Sequence, residues 1–586
     1  MDPADHPQPL LRRPVEMLDG PWSFALDPEG RDRPSTVTFD REILVPFAPE
    51  TPASGIGVGR VDRCWYRRRL RIEPPAGAGR VLLHFGGVDR TATVHVGGDA
   101  VESHTGGYAP FAVDVTDHAR GGEVDVVVRA DDDPTDLEVP RGKQDWLEEP
   151  HAIWYPRTTG IWRSVWLEQV PATRLASLAL SGSSSSMEVR LEARLQGPIP
   201  DGATLAVRVR GPGRRALVDD RVAIVEPAVE RTYPIGDGGI DDRSALVWWP
   251  RHPVLLDVEV AVLDGRGDVV DRVESYTALR DAGVADGRVL LNGRPYPLRL
   301  VLDQGYWRET GLTAPTTDAL RRDIELTRAL GFNGARKHQK VEDPRYLAWA
   351  DRLGLLVWVE MPSAYRASAR SAAALVREWT EIVAGAAGHP SVIGWVPINE
   401  SWGVPDVASS SPQRALVTAL ASIATALGGG RPVSANDGWE TAGGDIVGIH
   451  DYDQDAVALA ARYADAGAVD RLLRGRRPDG RLADLDRRPA GDRAVVLSEF
   501  GGVALRTGAS GPDGDGAWGY REVGSPAELL ATYADLWRAV HQSDVLAGAC
   551  WTQLTDTYQE INGLLTMERV PKADIDALAA ATRGRA

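Results

Sequence analysis

The chain has 586 residues, 43% of them hydrophobic and 25% charged, so a single core is excluded and two to four ordinary globular domains are expected. A formal net charge of −17 argues against nucleic acid and against an anionic membrane surface as partners, and leaves a small neutral substrate open. Cys64 and Cys550 have no metal-ligand spacing and form no disulfide framework, so both are expected as buried thiols. Met1-Asp-Pro-Ala-Asp-His shows no basic patch ahead of an apolar stretch, and no run reaches the roughly 20 apolar residues of a membrane span. No signal peptide, no membrane contact and a cytoplasmic location are therefore expected. Eighteen tryptophans against seven phenylalanines suit sugar stacking, because the indole face packs on C–H bonds while its N–H still donates.

From Trp22 to Val170 the chain reads as all-β. Short alternating segments (Trp65–Leu70, Val81–Phe85, Ala92–Val96, Val124–Arg129 and Ser164–Glu168) are separated by Gly86-Gly87, Gly97-Gly98 and Gly121-Gly122. Residues 1–170 are expected to form one β-sandwich. Residues 171–280 alternate in the same way at Met187–Leu195, Leu205–Arg210 and Val254–Val262, the size of one immunoglobulin-like sandwich. From Asp281 strands alternate with helices, the latter at Thr317–Leu330, Pro344–Leu353 and Ala372–Ala386. Eight strand candidates follow: Tyr296–Leu302, Phe332–Arg336, Leu355–Val359, Ser391–Ile398, Pro432–Ser434, Ile446–Ile449, Ala494–Ser498 and Val545–Trp551. They predict a (β/α)8 TIM barrel over 281–586. A doubly wound sheet is the competitor, weakened because no Gly-rich phosphate loop opens a helix.

Two of these strands end in glutamates. Glu400 closes the Ser391 strand as Asn399-Glu400, and Glu499 closes the Ala494 strand. An ionised carboxylate at the end of an apolar strand needs a partner or a task. Two at one mouth of a barrel suggest paired-carboxylate glycoside chemistry. Asp303, Lys337-His338, Glu360, His450-Asp451-Tyr452 and Trp551 end other strands and ring the same mouth. Trp402, beside Glu400, is a further candidate substrate contact. Trp146 and Trp154 lie in a segment that either reaches the barrel mouth or packs within its own sandwich.

Several motifs resemble glycoside hydrolase family 2, which includes β-galactosidases, β-glucuronidases and β-mannosidases. Trp65-Tyr66-Arg67-Arg68, Gly106-Gly107-Tyr108-Ala109-Pro110-Phe111 and Thr159-Gly160-Ile161-Trp162-Arg163 resemble its N-terminal jelly-roll domain. Trp249-Pro250 to Val260 resembles its immunoglobulin-like domain. Leu291-Asn292-Gly293, Gly331-Phe332-Asn333, Asn399-Glu400-Ser401 and Ser498-Glu499-Phe500-Gly501 resemble its barrel.

The resemblance implies Glu400 as acid/base and Glu499 as nucleophile. It further implies that Asn399 binds the sugar 2-hydroxyl, that Tyr452 supports Glu499, and that Trp551 is a platform under the glycone. It implies no cofactor and, since the metal ligands of the large β-galactosidases find no match, no metal. The family's Arg-His-Glu after the first strand is replaced by Leu302-Asp303-Gln304, leaving Asp303 as a candidate for glycone hydroxyls. Its Arg-x-Ser-His is replaced by Arg336-Lys337-His338-Gln339. The glucuronidase Asn-x-Lys is replaced by Glu560-Ile561-Asn562-Gly563-Leu564, without the lysine.

The expectation is a retaining exo-β-glycosidase acting on an oligosaccharide or glycoside, first a β-galactosidase. A β-glucuronidase or arabinosidase is the alternative, and a non-catalytic carbohydrate binder is the rival of another class. Transglycosylation shares all these residues, and assembly into a homo-oligomer is left open.

Overall fold

The computed structural model describes all residues except 1–5, 11–14, 237–238, 477–479, 489–490, 507–515 and 585–586. Met1 to Asp5, on which the signal-peptide expectation rests, lie outside the described residues. No helix among the described residues is long and apolar enough to cross a membrane.

The first β region packs a four-stranded sheet on a six-stranded sheet. Its central strands, Arg63–Arg71 and Glu123–Asp131, pair antiparallel along their whole length. Alternation puts Trp22, Phe24, Tyr66, Leu83, Val94 and Val128 between the sheets. Next, strands from Arg174 to Thr277 form a three-stranded and a four-stranded antiparallel sheet around Val189, Leu205, Val207 and Val260. Cys64 and Cys550 are buried free thiols.

From Leu298 onward, seven parallel strands form one sheet: Leu298–Asp303, Gly334–Lys337, Leu356–Glu360, Val392–Val396, Ile446–Asp451, Ala494–Gly501 and Leu546–Thr552. They are almost wholly buried on both faces, as a sheet sheathed in helices requires. Helices cover it at Thr317–Ala329, Pro344–Leu353, Ala369–Ala386, Ser411–Leu427 and Pro526–His541. Each starts where a Thr, Ser or Asp side chain caps a free amide, with proline in the first turn of three of them.

The candidate strand at Pro432–Ser434 is not regular. Proline lacks an amide hydrogen there, and Asn436-Asp437-Gly438 follow at once. The segment still bridges the two edges of the sheet. Trp395 N donates to Pro432 O and Ser434 N to Trp395 O, while Asp445 N and Ile446 N donate to Val433 O. It thus takes the fifth place of the expected eight-strand ring.

Candidate active site

Glu400 and Glu499 come from strand ends on the same mouth. Each lies on one side of His450: Nδ1 is 2.7 Å from Glu400 Oε1 and Nε2 is 3.3 Å from Glu499 Oε1. One oxygen of each carboxylate falls within 4.8 Å of the other. Retaining glycosidases hold their carboxyl groups about 5–5.5 Å apart, whereas inverting enzymes need roughly 6.5–9.5 Å for an intervening water.

The Glu400 turn is strained. Glu400 and Ser401 have φ of 51° and 54°, a left-handed conformation that costs non-glycine residues about 1–3 kcal/mol each. The irregular fifth segment holds it: Glu400 N donates to Asp437 O, and Ser401 N to Asn436 Oδ1. Trp402 Nε1 donates to Glu400 Oε2 at 3.3 Å. Burial would raise the Glu400 carboxyl, but the hydrogen bond and charge of His450, with Lys143 beyond, hold it at about 2. His450 moves the other way. Burial opposes its charge, yet Glu499, Asp437 and Glu400 raise it to about 9. At neutral pH the proton of this pair therefore sits on His450, hydrogen-bonded to Glu400.

Glu499 is fixed from two sides. Tyr452 donates to its Oε2 at 2.5 Å, and Arg336 Nη1 donates to its Oε1 at 2.8 Å. Arg336 is fully buried and also donates to Glu360 Oε2 at 2.8 Å and Asn399 Oδ1 at 2.6 Å, with Asp437 3.1 Å from Nη1. Its fork thereby orients the nucleophile candidate and Asn399 together. Asn399 Nδ2 is buried and has no partner among the described residues, so a donor faces the space beside the carboxylates. Burial lifts Glu360 to about 7 against the pull of Arg336. Burial likewise lowers His338 well below its ordinary value, so the ring is neutral beside Glu360, 3.1 Å away.

Two expected contacts are placed differently. Asp303 Oδ2 takes the Lys337 ammonium at 2.6 Å and Oδ1 takes Gly305 N, so its carboxylate serves a buried ion pair instead of glycone hydroxyls. Trp551 is fully buried between Phe500 and Tyr533, and a Cβ at Gly501 would lie 2.4 Å from its ring. It offers no open face as a platform; it packs beneath the Glu499 strand.

The segment around Trp146 and Trp154 reaches the barrel. Arg141 N and Gly142 N donate to Ser363 O, and Tyr365 Oη donates to Gly142 O at 2.6 Å. Trp146, Trp154, Tyr365, Trp402 and Trp439 form a continuous aromatic wall, with neighbouring ring centroids 4.6–5.8 Å apart. On the other side Tyr155 donates to Glu560. Sequence reasoning placed His450 only in the ring of strand ends and Glu560 only where the glucuronidase lysine is missing, and passed over Arg336, Asp437 and Lys143 as site residues. Arg336 and His450 were visible as polar strand ends; Asp437 and Lys143 lie in loops without a pattern.

A parallel ring with two carboxylates facing each other at its strand C-termini is the arrangement that glycosidase barrels use. No family model matches the chain. It is 28% identical over 357 residues to a putative β-glucuronidase of Formosa agariphila, covering 58% of this chain and 40% of that protein. It is 26% identical over 347 residues to a β-galactosidase of Thermoanaerobacter pseudethanolicus, covering 58% and 44%. The chain thus matches less than half the length of these two curated relatives. Among solved structures, a family 2 β-galacturonidase of Eisenbergiella tayi aligns over 98% of both chains with a TM-score of 0.73 and 18% identity. A β-glucuronidase of Ruminococcus gnavus aligns over 98% of this chain and 97% of that one, with a TM-score of 0.74 and 18% identity. Together these likenesses support an assignment to glycoside hydrolase family 2, and the solved structures show that the chain shares their fold.

Proposed function

We propose that this protein is a retaining exo-β-glycosidase. The observation that carries the reading is the Glu400–Glu499 spacing, within 4.8 Å between facing oxygens, with separate supports for each carboxylate. Glu499, oriented by Arg336 and Tyr452, attacks the anomeric carbon and forms a glycosyl ester. Glu400 gives a proton to the leaving oxygen and later takes one from water. Because Glu400 is ionised beside a charged His450, the proton for the first step is held by the pair, and the approaching glycosidic oxygen draws it through Glu400. Asn399 Nδ2 donates to the 2-hydroxyl, a bond that tightens as the oxocarbenium ion forms. The aromatic wall beside Trp402 borders the leaving-group side, and the Tyr155–Glu560 contact closes the glycone end, which favours release of single terminal sugars.

The glycone is a galactoside-like neutral sugar or a uronic acid. A purely carbohydrate-binding role leaves the paired carboxylates and the His450 proton without use.

Glu499→Ala is expected to abolish turnover of nitrophenyl β-glycosides. Glu400→Ala is expected to slow them about 10²- to 10⁴-fold, least for the best leaving groups. Added azide should restore part of the Glu400→Ala rate by giving a β-glycosyl azide. Wild-type rates in both variants would overturn the reading.

A further inference from the structure

Lys143 is a charged group at this mouth that the mechanism does not use. It comes from the N-terminal sandwich, yet its backbone is clamped to the barrel. The preceding Arg141 N and Gly142 N donate to Ser363 O at 3.0 and 3.1 Å, and Tyr155 N donates to Lys143 O at 2.8 Å. Gly142 has φ +60°, and a Cβ there would lie 2.4 Å from Gln339 O, so the segment sits directly on the barrel. Lys143 is 6% exposed. Among the described residues its ammonium has neither a hydrogen-bond acceptor nor a carboxylate within ion-pair distance; the other lysines around this mouth, Lys337 and Lys340, are both paired. The Lys143 backbone lies between Tyr365, whose hydroxyl donates to Gly142 O, and Tyr155, whose hydroxyl donates to Glu560, and its charge is felt at Glu400, Glu560 and His338. Glu560 does not neutralise it by contact: its two oxygens accept from Tyr155 and Asn562.

An unpaired ammonium on a largely buried side chain, with its head reaching accessible space, is best satisfied by a ligand that supplies the partner. A sugar hydroxyl would solvate it, and a sugar carboxylate would both solvate and neutralise it. Glu560 limits the repulsion that an incoming anion meets, because burial raises its carboxyl and so favours its neutral form.

We propose that Lys143, unpaired and fixed at the barrel mouth by the 141–155 loop, is the specificity-determining cation of the glycone pocket and receives the carboxylate of a β-D-uronide. The inference deepens the glycosidase reading and rests on it for the location of the glycone. It places glycone selection on a different domain from the catalytic carboxylates, in the loop that brings Trp154 to the aromatic wall.

The test separates binding from turnover. Calorimetry at pH 7 compares D-glucuronate and D-galacturonate with D-glucose and D-galactose, on wild type and on Lys143→Met and Lys143→Arg. Rates with nitrophenyl β-D-uronides and the matching neutral glycosides run alongside. Wild type should bind at least one uronate about 10- to 100-fold more tightly than its neutral counterpart, the span of one charge-assisted hydrogen bond. Lys143→Met should lower the uronide-to-neutral ratio of kcat/KM by a similar factor, and Lys143→Arg should retain part of it. A wild-type preference for neutral sugars overturns the proposal, as does an unchanged ratio in Lys143→Met. If Lys143→Met does not fold, the wild-type comparison and Lys143→Arg still decide. Uronate preference without turnover of any β-glycoside would sink the catalytic reading and leave the Lys143 assignment standing.

Discussion

Replacing Arg336 tests the central ion network. The side chain is fully buried, and Glu360, Asp437 and Glu499 all lie within 3.1 Å of it. Removing one partner of a buried pair costs roughly 3–5 kcal/mol, because the remaining charge is left without compensation. Glu360 softens the loss. Burial already holds it at about 7, so it takes up a proton readily once the guanidinium is gone. Arg336→Met is therefore expected to destabilise the barrel by about 3–5 kcal/mol and to abolish turnover. Arg336→Lys keeps the charge but not the planar fork, so it cannot hold Glu499 and Asn399 at once. Losing two charge-assisted bonds, at roughly 1.5 kcal/mol each, predicts a fall of about 100-fold in kcat/KM. Guanidinium denaturation followed by tryptophan fluorescence reads the first effect, and initial rates on an aryl glycoside read the second. An Arg336→Met protein with a wild-type midpoint and a rate within threefold of wild type would refute the reasoning.

His450 is raised from 6.5 to about 9, so its stabilising charge is fully present below pH 6.5 and is lost as the pH rises through about 9. The wild-type thermal midpoint should fall over that window and the His450→Gln slope should be flatter; parallel curves would count against the assigned charge. Tyr452→Phe removes the hydroxyl 2.5 Å from Glu499 and should lower kcat about 10- to 100-fold with a smaller change in KM, so an unaltered kcat would show that Glu499 is oriented without it. Trp402→Ala opens the aromatic wall and should raise KM more for aryl than for alkyl glycosides, which paired steady-state measurements with the two leaving groups will show. Glu400, His450 and Glu499 converge closely enough to trap a stray cation, so micromolar zinc should inhibit reversibly while a chelator alone leaves the rate unchanged; loss of activity in chelator would contradict the metal-free mechanism.

Much of the barrel was legible because its strands are short apolar runs bounded by helices that have their own caps. The Thr317–Ala329 and Pro344–Leu353 helices match the pattern to within a residue. The fifth strand position was legible as an element but not as a shape. Proline and a polar loop deny it a ladder, and only its neighbours' amides reveal that it closes the ring. Asp303 and Trp551 look like site residues in sequence because they end strands. Whether a strand-end side chain meets solvent or a buried partner depends on neighbours such as Lys337 and Gly501, which no local pattern specifies.

By itself the sequence determined the order of β, β and β/α regions and singled out Glu400 and Glu499, because strand periodicity and a carboxylate at the end of an apolar run are local signals. Tertiary structure alone decided which groups share the mouth. Arg336, Asp437, His450 and Lys143 meet there from different strands, loops and domains. The charge that each carries is set by burial and by neighbours distant in the chain, and those are properties of the packed molecule.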